Sequence, residues 1–126
     1  MVIFDTNVLI HYLHGKTSAV KLVKTYSKLG GLAVTCINKY ELMKGTTLAG
    51  DMLINELLGS FNVLYLNDVS ISIAADIYKD LKSKGKLIDD ADILIASMAI
   101  ASNNILITFD NDFRHINSKL IKVIVE

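Results

Sequence analysis

Along the chain, short runs of consecutive apolar residues alternate with longer stretches in which apolar positions recur every three or four residues. The short runs are Val2 to Phe4, Leu32 to Thr35, Phe61 to Leu66, Ile105 to Thr108 and Leu120 to Val125, and each is predicted as a strand. Between them the helical period appears in Asn7 to Leu13, Thr17 to Leu29, Asn38 to Gly45, Leu48 to Leu58, Val69 to Lys84 and Asp89 to Ser102. Gly30-Gly31, Gly45, Gly59-Ser60 and Gly85 stand where these helices should stop. Short, uniformly apolar strands alternating with helices imply an α/β domain, a parallel sheet with helices on both faces. A length of 126 residues fits one domain, 1–126, with a single core.

In open parallel sheets the ligand site lies beyond the carboxyl ends of the strands, so the polar residues that follow each strand carry the functional signal. Asp5 follows the first strand and Asp110 the strand ending near Thr108. Glu41 lies in the first turns of the helix that leaves the Leu32 to Thr35 strand, and Asp92 opens the helix before the Ile105 strand. Each acid also has an ordinary reading. Asp5 and Asp92 fit helix caps or dipole partners, Asn38 with Glu41 fits a capping box, and Asp110-Asn111-Asp112 fits turn chemistry. Taken together they fit something else, because clustered carboxylates raise one another's pKa and a hard cation removes that cost. Mg²⁺ and Mn²⁺ take oxygen ligands and keep several waters, which suits phosphodiester hydrolysis.

Four segments resemble the PIN-domain family, and within it the VapC-type toxins of prokaryotic toxin-antitoxin pairs. They are Phe4-Asp5-Thr6-Asn7-Val8-Leu9-Ile10, Tyr40-Glu41-Leu42-Met43-Lys44-Gly45, Asp92-Ile93-Leu94-Ile95-Ala96-Ser97-Met98-Ala99 and Leu106-Ile107-Thr108-Phe109-Asp110-Asn111-Asp112-Phe113. The resemblance runs over nearly the whole chain in the family's order. It implies a PIN-like three-layer α/β/α fold with a central parallel sheet of about five strands, and a Mg²⁺- or Mn²⁺-dependent endoribonuclease. It also implies that Asp5, Glu41, Asp92 and Asp110 are the catalytic metal ligands, that Asp112 is a further, assisting metal residue, and that Thr6, Asn7 and Thr108 are supporting polar residues. The sequence departs from the commonest pattern at Asn38, where a hydroxyl residue is frequent, and at Asp89-Asp90, which add negative charge. The partners so implied are RNA, an antitoxin protein and a second copy of the chain in a homodimer. Leu48, Leu53, Leu57 and Tyr26 are the apolar candidates for the antitoxin groove.

Composition narrows the substrate contacts. With 13 basic and 13 acidic residues the chain has no general basic field, so a nucleic acid must be gripped locally. Arg114, the only arginine, is a candidate phosphate contact, as are Lys39 and Lys44 beside Glu41. Lys79, Lys82, Lys84 and Lys86 form a basic run that fits a solvated helix face or an RNA backbone equally well. His11 and His14 share a helix face but lack a third nitrogen or sulfur ligand for zinc.

The lone Cys36 excludes an internal disulfide. With no export signal and no long apolar span, it leads to the expectation of a soluble cytoplasmic protein. A mean hydropathy of +0.42 fits either a dense core or apolar surface covered by another chain. A phosphatase of the haloacid-dehalogenase type would need an aspartate where Asn7 stands, and a receiver domain an early acidic pair. The remaining alternatives are an RNA-processing PIN nuclease without an antitoxin and a non-catalytic PIN-like binding module.

Overall fold

The computed structural model describes residues 1–45 and 48–126, without the side chains of Leu48, Ala49 and Asp51. Five parallel strands, β1 (Val2–Phe4), β2 (Leu32–Thr35), β3 (Asn62–Leu64), β4 (Ile105–Thr108) and β5 (Ile121–Val123), form one sheet in the order β3-β2-β1-β4-β5. The helices are α1 (Thr6–Leu13), α2 (Thr17–Ser27), α3 (Cys36–Lys44), α4 (Leu48–Leu58), α5 (Asp68–Ser83) and α6 (Asp90–Ala101), and a short 3-10 turn covers Asn111–His115. This is the three-layer α/β/α fold expected from the sequence.

The pleat explains why the strands read as continuous apolar runs. Successive side chains point to opposite faces, and both faces are covered. Val2, Phe4, Val34 and Ile107 pack with Val8, Leu9, Val23, Leu42 and Ile54 on one side, against α1 to α4. Ile3, Ala33 and Leu106 pack with Leu81, Ile93, Ile95, Ala96 and Ala99 on the other, against α5 and α6. Helix α6 shows almost no apolar face because its neighbours bury nearly all of it, from Ile93 through Ala99 apart from the half-buried Leu94.

The two edge strands are shorter than their apolar runs. β3 bonds only to Ala33–Thr35 of β2, and β5 only to Leu106–Thr108 of β4, so each ends where its single partner ends. Phe61 is buried as a core residue just before β3, which is why its hydrophobicity extends the run without extending the ladder.

The chain winds from β1 outward to β2 and β3, then crosses to β4 on the other side of β1. The crevice at this reversal lies between the carboxyl ends of β1 and β4, the place where doubly wound sheets bind ligands. No helix among the described residues is long and apolar enough to cross a membrane.

Candidate active site

Asp5 leaves β1 at that reversal and caps α1, its Oδ1 accepting from the Thr6 backbone N–H at 2.9 Å. The carboxylate is buried, 5% exposed, and its other partners are side chains. Asn38 Nδ2 donates to Oδ1 at 3.2 Å, and the Thr108 hydroxyl donates to Oδ2 at 2.7 Å. Burial raises the Asp5 pKa above the usual carboxylate range; the bonds from Thr108, Thr6 and Asn38 oppose that rise, and the Glu41 charge adds to it.

Asn38 is the residue the sequence reading undervalued. A capping box from Asn38 to Glu41 is not formed. Helix α3 begins at Cys36, Thr35 is its cap, and Asn38 is the third residue of the Thr35 box. Its Oδ1 accepts from the Thr35 N–H at 3.2 Å and hydroxyl at 2.7 Å, while Nδ2 reaches Asp5 and, at 3.0 Å, Thr6 Oγ1. Thr6 Oγ1 in turn donates to Glu41 Oε1 at 2.8 Å. One buried amide therefore fixes the start of α3, the Asp5 carboxylate and, through Thr6, Glu41. The only sequence signal was an amide three residues before Glu41, which also fits an ordinary cap. Asn38→Ala should lower stability by about 3 kcal/mol, since it strips partners from buried polar groups. A denaturant titration in the absence of metal reads this out, and a loss below about 1 kcal/mol would show that the amide does not hold the network together.

The Thr108 hydroxyl couples the two strand ends, donating to Asp5 and accepting from the Asp110 N–H at 3.0 Å. Asn7 Oδ1 accepts from the Phe109 N–H at 3.4 Å, tying α1 to the exit of β4. Asp110, not Asp112, caps the turn that follows: its Oδ1 accepts from the Asp112 N–H at 2.9 Å. The cap falls to Asp110 because a capping carboxylate bonds the N–H groups that come after it.

Asp92, in the first turn of α6, completes the group. It is half-buried, and its pKa is pushed up to about 7, first by desolvation and then by the charges of Asp5, Asp110, Glu41 and Asp89. Four carboxylates on four elements thus converge on one electrostatic cluster. Among the described residues no three acidic, histidine or cysteine side chains are placed to hold a metal ion as they stand. All-oxygen donors with open spacing suit a hard cation that keeps part of its water, and a bound cation would offset the repulsion now borne by Asp92.

The basic candidates lie elsewhere. Lys39 and Lys44 border a hollow with Cys36, Tyr40 and Met43, and the Lys44 ammonium sits over the Tyr40 ring at 5.1 Å. Glu41 opens onto a different, mainly apolar hollow of about 260 Å³ with Ile10, Leu13 and His14. Arg114 Nε donates to Asn111 Oδ1 at 2.9 Å. His11 stacks on Phe109 with ring centroids 5.3 Å apart and lies 2.6 Å from Glu126 Oε1, whereas His14 is exposed, so the two histidines form no common site. Tyr26 and Leu57, proposed for a partner groove, pack against the core, with Tyr26 edge-on to Phe4. Leu53 is exposed, and the Leu48 side chain lies outside the described residues.

Comparison with known proteins agrees with this architecture. The PIN-domain family model matches residues 2–119. The chain belongs to the PIN-domain family. Ribonuclease VapC1 of Methanocaldococcus jannaschii is 32% identical over 103 residues, covering 81% of this chain and 70% of that protein. The structure of VapBC-1 from nontypeable Haemophilus influenzae superposes with a TM-score of 0.85 at 25% identity, covering 98% of each chain. VapBC2 from Rickettsia felis, bound to a DNA fragment from its promoter, gives a TM-score of 0.85 at 20% identity, covering 99% of this chain and 100% of that one, and so shares the fold. In this PIN domain the acids of the four matching segments are the ones that meet at the sheet reversal.

Proposed function

We propose that this PIN domain is a divalent-metal-dependent endoribonuclease, the toxin of a type II toxin-antitoxin pair, with Asp5, Glu41, Asp92 and Asp110 holding Mg²⁺ or Mn²⁺. The convergence of Asp5, Glu41 and Asp110 with Asp92 at the sheet reversal carries the reading. The ribonuclease name of a relative 32% identical supports the activity, and the toxin-antitoxin complexes among its structural neighbours support the pairing. When bound, the cation supplies a polarised phosphoryl oxygen and a more acidic water. The chain supplies the placement. Thr108 and Asn38 hold the Asp5 carboxylate between them, Thr6 aims Glu41, Asn7 anchors the β4 exit, and the Thr108 hydroxyl fixes Asp110 relative to Asp5. Lys39, Lys44 and Arg114 are secondary candidates for substrate contact.

A homodimer that also receives an antitoxin segment suits the apolar side chains left at the surface, among them Met52, Leu53, Tyr65, Val69 and Ile71. RNA as substrate fits a cytoplasmic site of action. Induction of the wild-type chain in a host should arrest growth, and Asp5→Asn should relieve the arrest at equal protein level. Unimpaired growth with abundant wild-type protein would overturn the toxin assignment, and a monomer at every concentration in sedimentation would overturn the dimer.

The reading also orders the two acids of the last motif. Asp110→Asn should lower cleavage at least about tenfold, the effect of about 1.4 kcal/mol on the barrier. Asp112 is exposed and absent from the charges that act on Asp92, so Asp112→Asn should change the rate less than about twofold. Kinetics at saturating Mn²⁺ decide between them; the reverse order with both proteins folded would move the fourth ligand to Asp112.

A further inference from the structure

We propose that a cation-lined hollow bordered by Lys84, Lys86, Arg114 and Lys119 is a binding site for the phosphodiester backbone of single-stranded RNA, separate from the catalytic centre. The proposal rests on the ribonuclease reading above. The hollow has a volume of about 540 Å³, and its remaining border is His115, Ile116, Asn117 and Ser118, with no carboxylate on it. In a chain of 13 basic and 13 acidic residues, four cations around one concavity without an acid is a marked segregation of charge. Lys84 is paired with Asp80 at 2.8 Å, but Lys86, Arg114 and Lys119 are exposed and make no ion pair among the described residues. Arg114 places Nε on Asn111, which leaves the two terminal nitrogens of its guanidinium for the non-bridging oxygens of a phosphodiester.

Position ties the hollow to the chemistry. Both segments that border it run directly from acids of the site. The 3-10 turn leads from Asp110 to Arg114, about 8 Å along its axis at the usual rise of that helix. The other segment runs without helical structure from Lys86 to Asp89 and enters α6, where Asp92 lies in the first turn. Beyond Arg114 the chain returns to the amino-terminal end of β4, where the Leu120 carbonyl accepts from the Leu106 N–H at 2.8 Å, so the hollow extends from the Asp110 turn toward Lys119.

The physical need is equally direct. The carboxylate cluster repels phosphate, and the neutral chain offers no general field to overcome that, so a local cation set must supply the grip. The lysine run read from the sequence is divided by the fold: Lys84 and Lys86 join Arg114 and Lys119, whereas Lys82 lies 5.9 Å from the Tyr78 ring on α5.

The test is binding of a labelled single-stranded RNA to the full chain in EDTA, followed by fluorescence anisotropy across a salt series. The Lys86→Gln/Lys119→Gln protein is compared with Lys21→Gln/Lys24→Gln, which removes the same charge from exposed positions on α2. Loss of two phosphate contacts should flatten the slope of log affinity against log salt by about 1.4, so that the deficit at about 50 mM exceeds that at about 200 mM roughly sevenfold. The α2 pair should keep the wild-type slope. Equal losses in both pairs, or none in either, would overturn the proposal. So would a loss confined to competition by polyglutamate, which would assign the hollow to an acidic protein segment. Cleavage by the wild-type chain with Mn²⁺ is measured separately: its absence would strike the nuclease reading and leave the binding result standing.

Discussion

Asp5→Asn is expected to lower RNA cleavage by about a thousandfold, the equivalent of roughly 4 kcal/mol of lost transition-state stabilisation, while leaving the fold intact. A neutral amide is a weak ligand for a hard cation, and Asp5 is the acid around which the others are arranged. The fold should survive because the amide oxygen can face Thr6 and Asn38 while its nitrogen faces Thr108, whose hydroxyl can turn to accept. Burial already disfavours the charged form of Asp5, so at neutral pH the metal-free variant should melt no lower than the wild type. Circular dichroism melts in EDTA beside rate measurements in Mn²⁺ separate the two effects. A variant that is inactive because it is unfolded would remove the support for a ligand role.

The second large effect is linkage. If the clustered carboxylates bind Mn²⁺ when folded and not when unfolded, metal at about 100 times its Kd adds about 2.7 kcal/mol. For a chain of 126 residues that raises the melting temperature by about 10 °C. Asp92→Asn should blunt this shift, and it should also relieve the repulsion that Asp5, Asp110 and Glu41 impose in the metal-free state. Differential scanning calorimetry with and without millimolar Mn²⁺ measures both. An unchanged wild-type melt would count against a metal centre regardless of any activity result.

The layered fold was readable because β1, β2 and β4 are buried on both faces, so hydrophobicity marked them continuously. The edge strands were overestimated because an apolar run reports burial, not pairing, and Phe61 is buried outside the ladder. Asp5, Asp92 and Asp110 stood out by following a strand or opening a helix, Glu41 lay in the second turn of α3, and it was their conjunction, not any one position, that pointed to a cation. Asn38 did not, since a polar residue near a helix start has an ordinary explanation; its contacts to Asp5 and Thr6 span more than thirty positions and exist only in the fold. The same holds for the cation-lined hollow, whose parts come from residues 84–86 and 114–119. Asp110 and Asp112 could not be told apart by turn chemistry alone; the fold gives the cap to Asp110, whose Oδ1 accepts from the Asp112 N–H.

The central claim, that the acid cluster hydrolyses RNA with a metal-activated water, is tested most directly by the chemistry of the cut. An RNA oligonucleotide and its analogue with a single 2′-deoxy sugar at the cleavage position are incubated with the chain in Mn²⁺ and in EDTA. Attack by water does not use the 2′-hydroxyl, so both oligonucleotides should be cut in Mn²⁺, neither in EDTA, and no 2′,3′-cyclic phosphate should form. Cleavage that persists in EDTA, is blocked by the 2′-deoxy sugar and leaves a cyclic phosphate would contradict the account.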